Sequence, residues 1–196
     1  FMGFSGGAKS ASIGLAGRTT INANHSMLLN PACCAGSYES NPMRMDVEDI
    51  GEKIGIHFAL NAVLNGKKQI IAAFSGSPKQ VMIEGIKHIR KYCQVPVFSK
   101  YDIVLASANG YPKDISLYQA QKALTHAAMI TRDGGTVILA AECIEGLGSR
   151  AFEEFIQDVE TPDQVIEKFS RLGFQIGPHK AFQLARDARR LKIYLV

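Results

Sequence analysis

The stretches Asp102-Ile103-Val104-Leu105-Ala106 and Thr136-Val137-Ile138-Leu139-Ala140-Ala141 decide the fold. Each is a short, unbroken apolar run, the pattern of a strand buried in a parallel sheet. Between them, Ser116 to about Ile130 repeats apolar residues at helical spacing, and Gly134-Gly135 leads into the second run. Strand, helix and strand over that length predict a right-handed βαβ crossover.

Working outward, Phe152, Phe155, Ile156 and Val159 make a helical stripe. Thr161-Pro162-Asp163-Gln164 reads as a capping box for a helix carrying Val165, Phe169 and Leu172, which Gly173 stops. A helix from His179 to Arg190 precedes a last apolar strand, Ile193 to Val196. On the other side, Pro96 ends a helix opened by a second capping-box pattern, Ser77-Pro78-Lys79-Gln80, with Met82, Ile86, Ile89 and Cys93 on one face. The runs Phe58 to Leu64 and Gln69 to Phe74 flank Asn65-Gly66, a strong hairpin signal. A short helix fits Asp46 to Ile54, closed by Gly55, and the rest of the first third reads as irregular and polar. The expected class is α/β. Residues 1–94 form the end of one α/β domain, and residues 95–196 a second, smaller α/β domain with the βαβ unit.

Composition narrows the function. The chain has 196 residues, 46% hydrophobic and 20% charged, which excludes collagen-like and disordered classes. No apolar run approaches the roughly 20 residues of a membrane span, so no membrane partner is expected. The first ten residues are rich in glycine and serine, unlike a secretory signal, and a chain that starts at Phe1 reads as an internal fragment. The net charge is only +4. Its one basic cluster, Arg186, Arg189, Arg190 and Lys192, has no interleaved aromatics, so it reads as a solvated helix face and no nucleic-acid partner is expected. Cys33, Cys34, Cys93 and Cys143 contain no C-x-x-C and read as small buried hydrophobes in a reducing cytoplasm.

Three stretches carry candidate chemistry. Gly3-Phe4-Ser5-Gly6-Gly7-Ala8-Lys9-Ser10 approximates a phosphate loop, but Ala8 replaces its second glycine and no apolar strand precedes it. A nucleotide-binding enzyme and a purely structural loop both remain open. His25 follows Lys9 by sixteen residues, among Asn22, Asn24 and Ser26. Imidazole suits nickel, copper or zinc, but one ligand makes no site, and His57, His88, His126 and His179 show no ligand spacing with it. In the run Asp114 to Lys122, Ser116 and Gln119 fit a capping box, which gives Gln119 a backbone role. Tyr118 and Lys122 are four apart near the helix start, where hydroxyl, ammonium and a positive helix end together suit a small carboxylate.

Taken together, Gly3 to Ser10, Ala16-Gly17-Arg18-Thr19-Thr20, Asn24-His25, Phe58 to Asn65 and Asp114 to Lys122 resemble the nickel-dependent lactate racemase family. The likeness runs from residue 1 to about residue 190. It implies that Lys9 is joined covalently to a nickel-pincer nucleotide, a pyridinium mononucleotide that holds nickel through one carbon and two sulfurs. His25 completes the metal site. The implied reaction is racemisation or epimerisation of a small 2-hydroxy acid by hydride transfer. Tyr118, Gln119 and Lys122 match residues that hold substrate near its carboxylate. Phe182 falls where the lactate enzyme carries a tryptophan, which removes an indole N–H and leaves the substrate open. The family's catalytic histidine pair lies upstream of the Gly-rich run. No catalytic residue is therefore assigned in this chain, which by itself is expected not to turn over. Maturation enzymes that build the cofactor are the implied protein partners, and the site is expected in a cleft between the two domains. A non-catalytic binding homologue of the same fold is the other reading.

Overall fold

In the computed structural model, which describes residues 2–196, the chain divides into a unit ending at Pro96 and a unit from Val97 to Val196. The fold is α/β. The first unit holds α1 (Lys9–Ser12), α2 (Arg18–Ser26), a 3-10 turn (Met27–Leu29), α3 (Pro42–Lys53), β1 (Ala59–Leu64), β2 (Ile70–Gly76) and α4 (Pro78–Cys93). The helix expected at Asp46 begins four residues sooner. Asn41 Oδ1 accepts from the Arg44 N–H at 3.3 Å, and Pro42 supplies the preset first position.

His25 does not lie in a polar loop, as its neighbours suggested, but near the end of α2. Arg-Thr-Thr-Ile-Asn-Ala-Asn has little intrinsic helix preference, so tertiary contacts hold it. Asn24 is fully buried, and its Nδ2 donates at 2.9 Å both to Met43 O and to Asp46 Oδ2 of α3. The hairpin is present and antiparallel, with Ala62 opposite Ala73. Its turn is longer than Asn-Gly predicts. Asn65 Oδ1 accepts from the N–H groups of Lys67 and Gln69, and the positive φ falls on Lys68 rather than Gly66. The Ser77 pattern is not a capping box either, because the hydroxyl donates to Gln80 Oε1 and caps no backbone N–H.

The second unit holds β3 (Tyr101–Ser107), α5 (Leu117–Ile130), β4 (Thr131–Ala140), α6 (Arg150–Ile156), α7 (Pro162–Leu172), α8 (Pro178–Ala188) and β5 (Lys192–Leu195). The sheet order is β3-β4-β5, parallel throughout, so β3-α5-β4 is the expected crossover. Leu124, Ala127 and Ala128 of α5 pack on Val137 and Leu139 of β4, with Leu191 completing the core. α7 has its full capping box, Thr161 to Gln164 in both directions.

Three expectations change here. β4 starts at Thr131, directly after α5, because residues 132–135 bulge between the pairs Tyr101–Thr131 and Ile103–Thr136. Gly134, at φ 78, donates its N–H to Arg190 O at 2.7 Å. Arg190 in turn reaches Thr131 O, Asp133 Oδ1 and Ala128 O, so this member of the basic cluster braces the bulge instead of facing water. The strand β3 is not covered on both faces. Ile103 and Leu105 are 65% and 72% exposed, because α5 packs on the face of β3 that carries Val104 and Ala106. Of the four cysteines, all free, Cys33 is buried and Cys143 partly so, whereas Cys34 and Cys93 are exposed. Among the described residues no helix is long and apolar enough to cross a membrane.

Candidate functional site

The Gly-rich run ends on the four-residue helix α1, docked on α3. Ser12 Oγ donates to Ala8 O and Val47 O, both at 2.9 Å. The Ala8 methyl is buried where α1 meets Gly51, and a Cβ on Gly51 would come within 2.4 Å of it. Ala8 therefore serves helix packing, and the Gly7 N–H already donates to the Asn61 amide oxygen. A phosphate loop needs those N–H groups free and a helix longer than one turn behind them. The glycines are likewise set by the protein itself. A Cβ on Gly6 would meet Asn61 at 1.8 Å and one on Gly7 would meet Met82 at 2.5 Å. They admit neighbouring side chains of this unit.

Arg44 is the residue that sequence reading missed. It is fully buried, and its guanidinium donates to Phe4 O at 3.3 Å, Gly6 O at 2.9 Å and Glu48 Oε1 at 2.8 Å through Nε. One α3 side chain thus fixes the carbonyls on which the loop turns. Lys9 is half-buried, and its amine is lowered from the ordinary lysine value by burial and by the Arg44 charge. His25 is also half-buried and shifted downward. Burial is the main cause, a backbone hydrogen bond near Ile21 opposes it, and the charge of Lys9 adds to it. The Lys9 amine and the His25 imidazole are thus within electrostatic reach of each other. On the same face of α2, three residues before His25, Asn22 Oδ1 is buried and lacks a hydrogen-bond donor.

Among the described residues, no group of three His, Cys, Asp or Glu could hold a metal ion. A bare ion therefore has no protein cage here. The donor set suits a preassembled group that brings its own ligands, with an amine to bond it and an imidazole to complete its coordination.

In the second unit, Tyr118, Gln119 and Lys122 share the first turns of α5, beyond the carboxyl end of β3, where parallel sheets place ligands. The backbone of that helix start is already used. The N–H groups of Leu117 and Tyr118 donate to Gly146 O and Leu147 O, so the positive helix end expected to hold a carboxylate offers side chains instead. Gln119 does not cap Ser116. Its Oε1 accepts from Lys122 Nζ at 2.6 Å, which orients the ammonium. Gln119 and Lys122 line a cavity of about 340 Å³ with Asn109, Lys113 and His126. His126 follows Lys122 by four residues, a spacing that could have flagged it. Burial raises the Tyr118 hydroxyl from its ordinary value, keeping it a donor. Phe182 is 6% exposed and stacks on Phe169 at 4.8 Å, inside an aromatic cluster with Phe155 and Phe174.

Two family models match the chain: the lactate racemase N-terminal domain over residues 1–36 and the lactate racemase C-terminal domain over residues 98–179. Curated lactate racemases from Thermoanaerobacterium thermosaccharolyticum and Lactiplantibacillus plantarum are 34% and 32% identical, over 88% and 86% of this chain. The chain spans about two fifths of their length, 41% and 40%. The structure of the lactate racemase apoprotein from T. thermosaccharolyticum superposes with a TM-score of 0.93 at 32% identity, covering 100% of this chain and 48% of that one.

Proposed function

Because the chain belongs to the lactate racemase family, we propose that it carries the cofactor-holding and substrate-holding residues of a racemase or epimerase of 2-hydroxy acids. Lys9 is the attachment point of a nickel-pincer nucleotide and His25 the protein ligand to its nickel. When bound, that group supplies the acceptor and donor of the hydride at the substrate α-carbon. The observation that carries the reading is the pairing of Lys9 with His25: two half-buried nitrogens within electrostatic reach of each other, each biased toward its neutral form.

This chain's own residues bind and orient. A neutral Lys9 amine can form a covalent bond, which an ammonium cannot. A neutral imidazole at His25 can coordinate. Lys122 supplies the charge for the substrate carboxylate, Gln119 holds that ammonium in place, and the Tyr118 hydroxyl donates a second hydrogen bond. Phe182 lies in the aromatic core on Phe169, so it acts on this site only through the placement of α8. No general base is assigned among them, and the cofactor's builders are the proposed protein partners.

Intact mass and nickel content of the full-length protein, purified from its native host, test the reading. A cofactor-sized adduct on Lys9 with about one nickel per chain is expected. Lys9→Ala removes both, and His25→Ala keeps the adduct while losing metal. An unmodified, nickel-free protein from a host with the maturation enzymes overturns the assignment and leaves a binding homologue.

A further inference from the structure

Lys180, at the start of α8, is 7% exposed. Its backbone is tied to α5, because Gln121 Nε2 donates to Lys180 O at 2.8 Å. Its ammonium lies 5.3 Å from the Tyr118 ring centroid and makes one long hydrogen bond, 3.3 Å, to Gln183 Oε1. Among the described residues it forms no ion pair. A lysine held only for packing lets its ammonium reach water or a carboxylate. This one does neither, and the Lys122 charge is near enough to disfavour it further. Two ammonium groups on different helices are thus within electrostatic reach of each other, and among the described residues neither forms an ion pair. Such an arrangement is costly unless a ligand supplies the missing charge.

A single carboxylate neutralises one of the two. Lys122 is already aimed by Gln119 and serves that role in the proposed function, on which this inference rests. We propose that Lys180 is a specificity-determining residue that receives a second acid group, so that the substrate is a 2-hydroxy acid carrying two carboxylates rather than one. Tyr118 lies under the Lys180 ammonium and precedes Lys122 by one turn of α5. Its ring stabilises the Lys180 ammonium, and its hydroxyl serves the first carboxylate.

Calorimetric titration of the full-length protein from its native host with malate and with lactate tests this. The wild type is expected to bind malate at least tenfold more tightly. Lys180→Met is expected to shrink that ratio to within threefold, and Lys180→Arg, which keeps the charge, to hold most of it. Melting temperatures of the variants report folding separately. A malate-to-lactate ratio near one in the wild type, or one unchanged in Lys180→Met, overturns the role of Lys180 while leaving the carboxylate site intact. Binding of neither acid overturns the Tyr118–Lys122 site and this inference together.

Discussion

Arg44 shows how one residue can order a loop it does not belong to. Its guanidinium spans from α3 to Phe4 O and Gly6 O while Glu48 balances its charge. Removing one partner of a buried pair leaves the other charged and dry, so Arg44→Met is expected to cost about 3–5 kcal/mol in urea unfolding. Because Arg44 also lowers the Lys9 amine, the variant should slow acylation of Lys9 by an amine-selective reagent at pH 8, read by peptide mass mapping. Lys180 presents the opposite case, a buried charge that forms no ion pair among the described residues. Its amine falls from 10.5 to about 8, first through burial and then through Lys122. Between about pH 8 and 10.5 the unfolded chain keeps a proton that the folded chain has released, so this residue's contribution to stability rises with pH across that window. Below it the burial penalty is constant. Lys180→Met is therefore expected to raise unfolding stability at pH 7 by about 1 kcal/mol or more and to flatten the alkaline rise. A melting temperature that falls in the variant instead contradicts an unpaired buried ammonium.

Among the elements, α8 joins the proposed substrate side to the aromatic core through Phe182. Its ring is stacked on Phe169 and nearly unexposed. Phe182→Ala is expected to cost about 3–5 kcal/mol, and the larger Phe182→Trp about 1–3 kcal/mol by overpacking. Both values are read from chemical denaturation. A Trp variant as stable as wild type would show a wall with spare room, and then a change in hydroxy-acid preference is the informative readout. The strands and helices of the second unit were legible because their apolar runs and turn residues agree locally, as at Thr161-Pro162-Asp163-Gln164. The helix that carries His25 was not legible. Its residues are poor helix formers, and the force that shapes it is Asn24 bonding to residues 19 and 22 positions away. The candidates Tyr118, Gln119 and Lys122 were visible at helical spacing. Lys180, on α8, met them only through the fold, and Arg44 looked like any charged residue of an amphipathic helix. Where a local signal misled, as at Ser77 and Ser116, the side chain that could cap had another partner or the loop had already taken the N–H.

Across the whole molecule, the organisation into two units depends on what joins them. Residues 94–100 belong to no helix or strand, and Val95 and Phe98 are 77% and 99% exposed. A protease needs several residues of extended chain that can leave the surface without breaking hydrogen bonds, and this segment offers them at little cost. The loop at residues 108–116, where Tyr111 is 74% exposed, is the competing site, but the N–H groups of Cys143 and Glu145 tie it down by donating to Asp114 O and Ile115 O. Limited chymotrypsin digestion of the folded protein is therefore expected to cut first after Phe98, giving two resistant pieces whose new ends map to the 94–100 segment by mass spectrometry. Each piece should retain its own protected amides: α3 and α4 in one, and β4 and α5 in the other. Within residues 2–196 the first unit holds a two-stranded hairpin and the second a three-stranded parallel sheet packed by α5, so the second unit is expected to be the more resistant of the two. A first cut inside β4 or α5, or loss of the second piece before the first, would mean that the core of residues 97–196 does not hold on its own. In that case Tyr118, Lys122 and Lys180 would owe their arrangement to contacts beyond that unit.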